Sequence, residues 1–419
     1  MRNSLSKDAK EVAAADTRRR SSDALDWRRL ESLADPSPNS GLHSFAAQLL
    51  FSGGAVRAAE GLARSAEFQR TPGELLPRLR RVMRPRFAIL CYHRVGRGGV
   101  PIYSGLPASV FEAQMRYLRK HYRILSLGDV LQEMAEPRST EPAVAITFDD
   151  GYADLYTQAF PILQRYSVPS TIYLTVGAID SGEVAWYDRV FVAFQVAPAK
   201  DFVLPLNPPR RIYLETPEGR LRAAVEFITL MRKLPAAEQR AHCARLESAV
   251  PLPSESLSNR MLTWDQVRQM QAAGVSLGTH TITHPVVSNL DDADLEWELG
   301  ESKRILENRI QHHVEDFAFP FGKSEECGQK AISALSRLGY RSAVTTEAGL
   351  NVPTTNPFAL LRVSFCEERS LKMFALRLSQ LFLFPEYSTS MPESSTASRE
   401  SGMADSRNDG DSSVAASNA

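Results

Sequence analysis

The chain has 419 residues, enough to bury a large core, and its 49 Lys and Arg are balanced by 49 Asp and Glu. Hydrophobic residues at 43% and charged residues at 23% are ordinary for a globular protein. A formal charge of zero gives no electrostatic reason for a nucleic-acid partner, and that class is set aside.

Residues 1–85 are rich in Arg, Ser and Ala, with helical spacing over Ser44–Ala63, and read as an extension that is partly helical or disordered. Arg18, Arg19 and Arg20 read as a solvated charge run. The first twenty residues lack the apolar stretch of a secretory signal, and no run approaches the roughly 18 apolar residues that span a bilayer. The expectation is a cytoplasmic protein, with a place at the inner membrane surface as the variant of that reading. The four cysteines, Cys91, Cys243, Cys327 and Cys366, are far apart in sequence, so buried thiols are expected rather than a disulfide framework or a cysteine zinc site.

From residue 86 to 390 short apolar runs alternate with helical segments. The runs are Phe87–Tyr92, Val144–Phe148, Ser170–Val176, Val275–Gly278, Asp316–Phe319, Tyr340–Val344 and Ala359–Phe365. The helical segments are Phe111–Leu118, Ala153–Tyr166, Trp264–Ala273, Asp294–Ile310 and Lys330–Leu338. This alternation predicts an α/β fold, a distorted or incomplete (β/α) barrel of about seven parallel strands. Functional residues then belong at the C-terminal ends of the strands. An interval at about 178–260, with Pro205, Pro208, Pro209, Pro251 and Pro253 and a helix around Arg220–Lys233, reads as an insertion facing the substrate. Trp186, Tyr187 and Asp188 begin it and are assigned no role. Leu371–Phe384 reads as a helix packed on the barrel, with peripheral membrane contact as the alternative. Residues 391–419 are Ser, Asp, Asn and Gly with few large apolar side chains, the composition of a disordered tail.

Two elements carry chemistry. Ala145-Ile-Thr-Phe-Asp-Asp-Gly-Tyr152 sets Asp149 and Asp150 just after a strand, followed by a glycine that permits a sharp turn. Adjacent side chains on an extended strand point apart, so one carboxylate is free to hold a metal while the other handles a proton. The competing reading is a turn with a helix N-cap. Leu277-Gly-Thr-His280-Thr-Ile-Thr-His284-Pro285 places two imidazoles four residues apart, close enough on a single helical turn to hold one ion. One carboxylate and two imidazoles suit one divalent ion, Zn2+ first and Ni2+, Co2+ or Mn2+ as alternatives, with positions left for water and substrate. The reaction class is metal-assisted hydrolysis.

Phe148-Asp-Asp-Gly151 followed by His280-x-x-x-His284 resembles the polysaccharide deacetylase family, the NodB-homology or carbohydrate esterase family 4 proteins. Cys91-Tyr-His-Arg-Val95 resembles the strand-one motif of a YHRV-bearing branch, Phe317-Ala-Phe-Pro-Phe-Gly322 its strand-five motif, and Leu360-Leu-Arg-Val363 its last-strand segment. The resemblance spans about 86 to 365. It implies a distorted barrel, an N-acetylated oligo- or polysaccharide substrate, Asp149 as catalytic base, and Asp150, His280 and His284 as metal ligands. Two positions depart from the family pattern. The last-strand segment Ala359-Leu-Leu-Arg-Val-Ser-Phe365 has no histidine where the family places its general acid; His93 is the substitute, against a structural hydrogen bond at the barrel mouth. The strand-five motif lacks the arginine that orients the base; Arg362 is its replacement, against pairing with a surface acid. Tyr152, Pro320 and Phe321 are expected as walls of a sugar groove, against ordinary packing. Two other functions compete: a catalytically inactive carbohydrate-binding or scaffold protein on the same barrel, and a deformylase or deacylase of a lipid-linked sugar.

Overall fold

The computed structural model describes residues 85–96, 105–198, 200–204, 209–253, 260–366 and 368–383. The proposed N-terminal extension and C-terminal tail lie outside these residues, apart from 85.

Ten strands occur in chain order: β1 (Phe87–Tyr92), β2 (Arg123–Ile124), β3 (Ala143–Phe148), β4 (Ser170–Leu174), β5 (Asp201–Leu204), β6 (Arg210–Tyr213), β7 (Ser276–Thr279), β8 (Asp316–Ala318), β9 (Ser342–Val344) and β10 (Arg362–Ser364). Seven of them form one parallel path, β10-β1-β3-β4-β7-β8-β9, while β2 pairs with the first residues of β3. A parallel bridge between Val344 and Leu360, just before β10, brings the two ends of the path together and nearly closes a barrel. Each of the seven expected apolar runs supplies one strand of that path.

The sequences FAILCY of β1 and AVAITF of β3 are apolar throughout because both faces are covered. Alternation sends Phe87 and Ile89 of β1 and Ala143 and Ala145 of β3 into an inner cluster with Tyr173, Ala318, Val344 and Leu360. Ala88, Leu90, Tyr92, Val144, Ile146 and Phe148 face the outer helical layer. Continuing the same alternation, Cys91, His93, Thr147 and Asp149 fall on the inner face at the carboxyl end of the barrel. There the apolar filling gives way to polar groups.

The helices begin where local chemistry allows. Thr263 and Gln266 form a reciprocal capping box at Trp264–Ala272, and Ser126 accepts from the Asp129 N–H at the start of Leu127–Ala135. The segment expected as one helix over Asp294–Ile310 runs as Asp292–Glu296, a π-helical turn at Trp297–Glu301, and Ser302–Ile310. The insertion contains helices Trp186–Val196, Pro217–Met231 and Ala236–Ala249, together with the antiparallel β5–β6 hairpin. Helix Leu371–Leu383 buries Phe374, Leu378, Leu381 and Phe382, with Phe374 stacking edge-on to Phe365 at 4.6 Å. Packing on the barrel flank is therefore the reading that holds for it. No described helix is long and apolar enough to cross a membrane.

The turn after β3 depends on Gly151. Its φ is +89°, and an added Cβ would approach Leu174 Cδ2 at 2.9 Å and Ile179 Cδ1 at 3.0 Å. Asp150 beside it is also left-handed, at φ 71°, which Asp tolerates better than most residues. Gly151→Ala is expected to lower unfolding stability by about 1–3 kcal/mol through backbone strain and crowding, read from urea denaturation.

Candidate metal and acid–base site

Asp149 ends the inner face of β3 and is 1% exposed. Arg362, from β10, reaches across the barrel mouth and grips it with both terminal nitrogens, Nη1 to Oδ1 at 2.7 Å and Nη2 to Oδ2 at 2.6 Å. Arg362 also donates from Nε to the Thr345 carbonyl at 2.7 Å, so its planar fork is held at three points. Burial alone would push the Asp149 carboxyl up, but the Arg362 guanidinium outweighs it and holds the group well below the usual carboxylate range. Arg362 thus pairs with the interior carboxylate and not with a surface acid.

Asp150 turns the other way. Its Oδ1 lies 3.6 Å from His280 Nε2 and 3.5 Å from His284 Nε2, all three residues being buried. Neither oxygen has a hydrogen-bond partner at normal geometry, although the Tyr187 hydroxyl is close enough to favour the charged form. Burial, followed by the neighbouring charges of Asp149 and Asp188, pushes the Asp150 carboxyl far up. His280 places Nδ1 2.7 Å from the Ala318 carbonyl, which fixes that nitrogen as the donor and turns Nε2 toward Asp150. Ligands about 2.0–2.2 Å from one tetrahedral ion stand roughly 3.3–3.6 Å from each other. The crowded trio of Asp150, His280 and His284 fits a divalent cation on that test.

The two histidines do not share a helical turn, as their spacing suggested. His280 follows β7, and residues 281–286 form a loop with Thr281 at φ 64° and His284 at φ 61°. Left-handed residues break the helix and fold the loop back, and Pro285 removes a backbone donor just beyond. The loop is held by its surroundings: His280 N donates to Leu174 O at 2.9 Å, and His284 N donates to Thr281 Oγ1 at 3.0 Å. Gly278 permits this strand to pass Tyr173, whose ring would meet an added Cβ at 2.5 Å.

His93 stands at the mouth with Nε2 4.0 Å from Asp149 Oδ2 and Nδ1 3.1 Å from Cys366 Sγ. Burial lowers its pKa to about 4, with Asp149 opposing and Arg362 assisting, so it is neutral at pH 7. No cysteine is in a disulfide; Cys91, Cys243 and Cys327 are buried and Cys366 is partly so.

The expected groove walls separate. Phe321 is partly exposed, with its ring 4.9 Å from His284. Pro320 is buried. Tyr152 is 2% exposed and donates its hydroxyl to Asp188 Oδ2 at 2.6 Å, while Arg94 covers its ring at 4.7 Å. It is therefore enclosed and not on an accessible surface. Two residues given no role pack against His284 instead, Trp186 partly exposed and Tyr187 buried. Trp186 Nε1 donates to the His284 carbonyl at 3.0 Å, and the Tyr187 ring lies 4.7 Å from the His284 ring. Asp188, pushed up to about 6 by burial against its bond from Tyr152, stands in a second layer. The sequence signal was the aromatic pair opening the insertion; only the fold carries it to the site.

The Asp149–Arg362 pair has a measurable signature. An unfolded aspartate titrates near 3.9, and the folded group lies below that, so the contribution of the pair is complete above about pH 5 and fades as the pH falls. Arg362→Met is expected to cost about 3–5 kcal/mol at pH 7 by leaving a buried charge unpaired. Adding Asp149→Asn should restore much of that loss, and both variants should lose the acid-side dependence in pH-resolved urea denaturation.

The family model described as polysaccharide deacetylase matches residues 136–343. YxkH of Bacillus subtilis, provisionally named a polysaccharide deacetylase, is 22% identical over 280 residues, 66% of this chain and 71% of that protein. A poly-beta-1,6-N-acetyl-D-glucosamine N-deacetylase of Staphylococcus aureus is 32% identical over only 72 residues, 17% of this chain and 25% of that protein. Among solved structures, the deacetylase PplD of Streptococcus pyogenes aligns over 71% of this chain and 99% of its own, at 19% identity and a TM-score of 0.48. IcaB of Ammonifex degensii aligns over 71% and 97%, at 18% identity and a TM-score of 0.47. Residues 136–343 belong to the polysaccharide deacetylase family.

Proposed function

We propose that the protein is a metal-dependent hydrolase that removes N-acetyl groups from a polysaccharide containing N-acetylated amino sugars. The observation that carries this reading is the convergence of Asp150, His280 and His284 on one point beside an ionised, arginine-held Asp149. The name of the Staphylococcus aureus relative supports a poly-N-acetylglucosamine type of substrate.

Asp150, His280 and His284 would hold one divalent ion, with Zn2+ favoured by the ligand set. When bound, such an ion polarises an acyl carbonyl and acidifies water. Asp149 is the carboxylate positioned to take the proton of the attacking water, and Arg362 fixes its plane and keeps it charged. The basicity lost to Arg362 makes the proton easy to pass on. His93 has the higher pKa of the two and is the acceptor from which the leaving amine is protonated. The 4.0 Å between His93 and Asp149 is longer than a hydrogen bond, so this transfer requires closure when substrate binds. The Gly151 N–H already donates to the Asp149 carbonyl at 2.9 Å and is not available as an oxyanion donor. Phe321 and Trp186 offer ring surface for an apolar sugar face.

The test is metal content together with acetate release from N-acetylglucosamine oligomers. The wild-type protein is expected to bind about one divalent ion and release acetate. Asp149→Asn should keep the ion and lose at least about a hundredfold in kcat, the usual worth of a positioned base. His280→Ala should lose both ion and activity. Metal without release of any acyl group would favour the inactive carbohydrate-binding protein, whereas release of formyl but not acetyl would favour the deformylase.

His93→Gln separates the proton relay from the rest of the site. A retained metal affinity with kcat lowered by about 10–100-fold is expected, and an unchanged kcat would remove His93 from the mechanism.

A further inference from the structure

Among the buried charges outside the trio and the Asp149 pair, Glu298 bonds to the loop that carries the two histidines. Glu298 is 2% exposed and sits on the π-helical turn Trp297–Glu301. Its Oε2 accepts the backbone N–H of Ile282 at 2.7 Å and of Thr283 at 3.1 Å, and its Oε1 accepts the Thr283 hydroxyl. All three donors belong to the loop between His280 and His284. A short loop with two left-handed residues turns its N–H groups inward, where burial without an acceptor is costly. The π-turn has a counterpart reason: one extra residue in the helix redirects a side chain toward a neighbouring segment.

We infer that Glu298 is a positioning residue for the metal site, clamping residues 282–283 so that His280 and His284 face Asp150. This rests on the metal-site reading above. Glu298 contacts no reacting atom; it acts through the loop, and its effect falls on metal affinity before catalysis. The carboxylate gathers the three donors, and the Trp186 bond to the His284 carbonyl and the His280 bond to Ala318 fix the two flanks. With the clamp removed, the loop can relax from its left-handed turns and the His280–His284 arrangement widens.

The experiment titrates Zn2+ into the metal-stripped full-length protein against a competing chelator, with thermal unfolding measured in parallel. Glu298→Ala is expected to weaken Zn2+ binding by about 10–100-fold, the usual cost of losing a group that orients metal ligands, with kcat recovering toward wild type at saturating Zn2+. Glu298→Gln keeps an acceptor for both backbone N–H groups and should bind Zn2+ within a few-fold of wild type. Leu306→Ala, buried farther along the same helical segment, should lower Tm without changing Zn2+ affinity. The proposal is overturned if Glu298→Ala binds Zn2+ as tightly as wild type, or if Leu306→Ala weakens binding to the same extent. Should Glu298→Ala fail to fold, Thr283→Val removes one of the three contacts at constant volume, and unchanged affinity in that variant overturns the proposal equally. A wild-type protein that binds no Zn2+ brings down the metal-site reading together with this one, whereas tight wild-type binding matched by Glu298→Ala brings down this one alone.

Discussion

A carboxylate buried at 1% exposure needs a partner, and the bidentate contact of Arg362 with Asp149 meets that need from the strand at one end of the path. The contact joins β3 to β10, which are not neighbours in the sheet but lie on either side of β1. It exists only because the barrel curves and brings both inner faces to the same mouth. An open, flat sheet would set the two residues apart and leave each charge unpaired. Near-closure of the barrel and ionisation of Asp149 are therefore linked: the curvature supplies the cation that holds the anion.

That pairing also divides the labour of the aspartate doublet. Asp149 faces Arg362 and is held charged, while Asp150, one residue on and in a left-handed conformation, is turned toward two neutral imidazoles. A single guanidinium cannot serve both carboxylates. Asp150 is left with an unfavourable burial that a divalent cation would relieve. Two adjacent residues of the same type thus have opposite electrostatic settings, created by one tight turn at Gly151.

The insertion between β4 and β7 packs aromatic side chains against the residues at the barrel mouth. Its first helix puts Trp186 and Tyr187 against His284, and the Arg232 guanidinium at the end of its second helix lies 4.4 Å from the Phe321 ring centre. Aromatic rings packed beside the histidines exclude water from one side of the trio.

The sequence by itself determined the strands and the residues that carry chemistry. Seven apolar runs marked the seven parallel strands, because strands buried on both sides must be apolar throughout. The adjacency of Asp149 and Asp150 already pointed the two carboxylates apart, the histidine spacing marked His280 and His284, and the family resemblance implied Asp150 as the third ligand. Local patterns carry that information because each strand and turn is written in consecutive residues. The tertiary structure decided how those residues meet. The His280–His284 spacing is compatible with a helical turn, and only contacts from Leu174, Trp186 and Glu298 hold it as a left-handed loop. Tyr152 looked like a groove wall because it follows the aspartates, yet Asp188 draws its hydroxyl inward from a helix 36 residues away in sequence. Arg362 found its partner across the barrel at a separation of 213 residues. Such pairings depend on curvature and on which helix lands where, and those are properties of the assembled barrel that no short segment encodes.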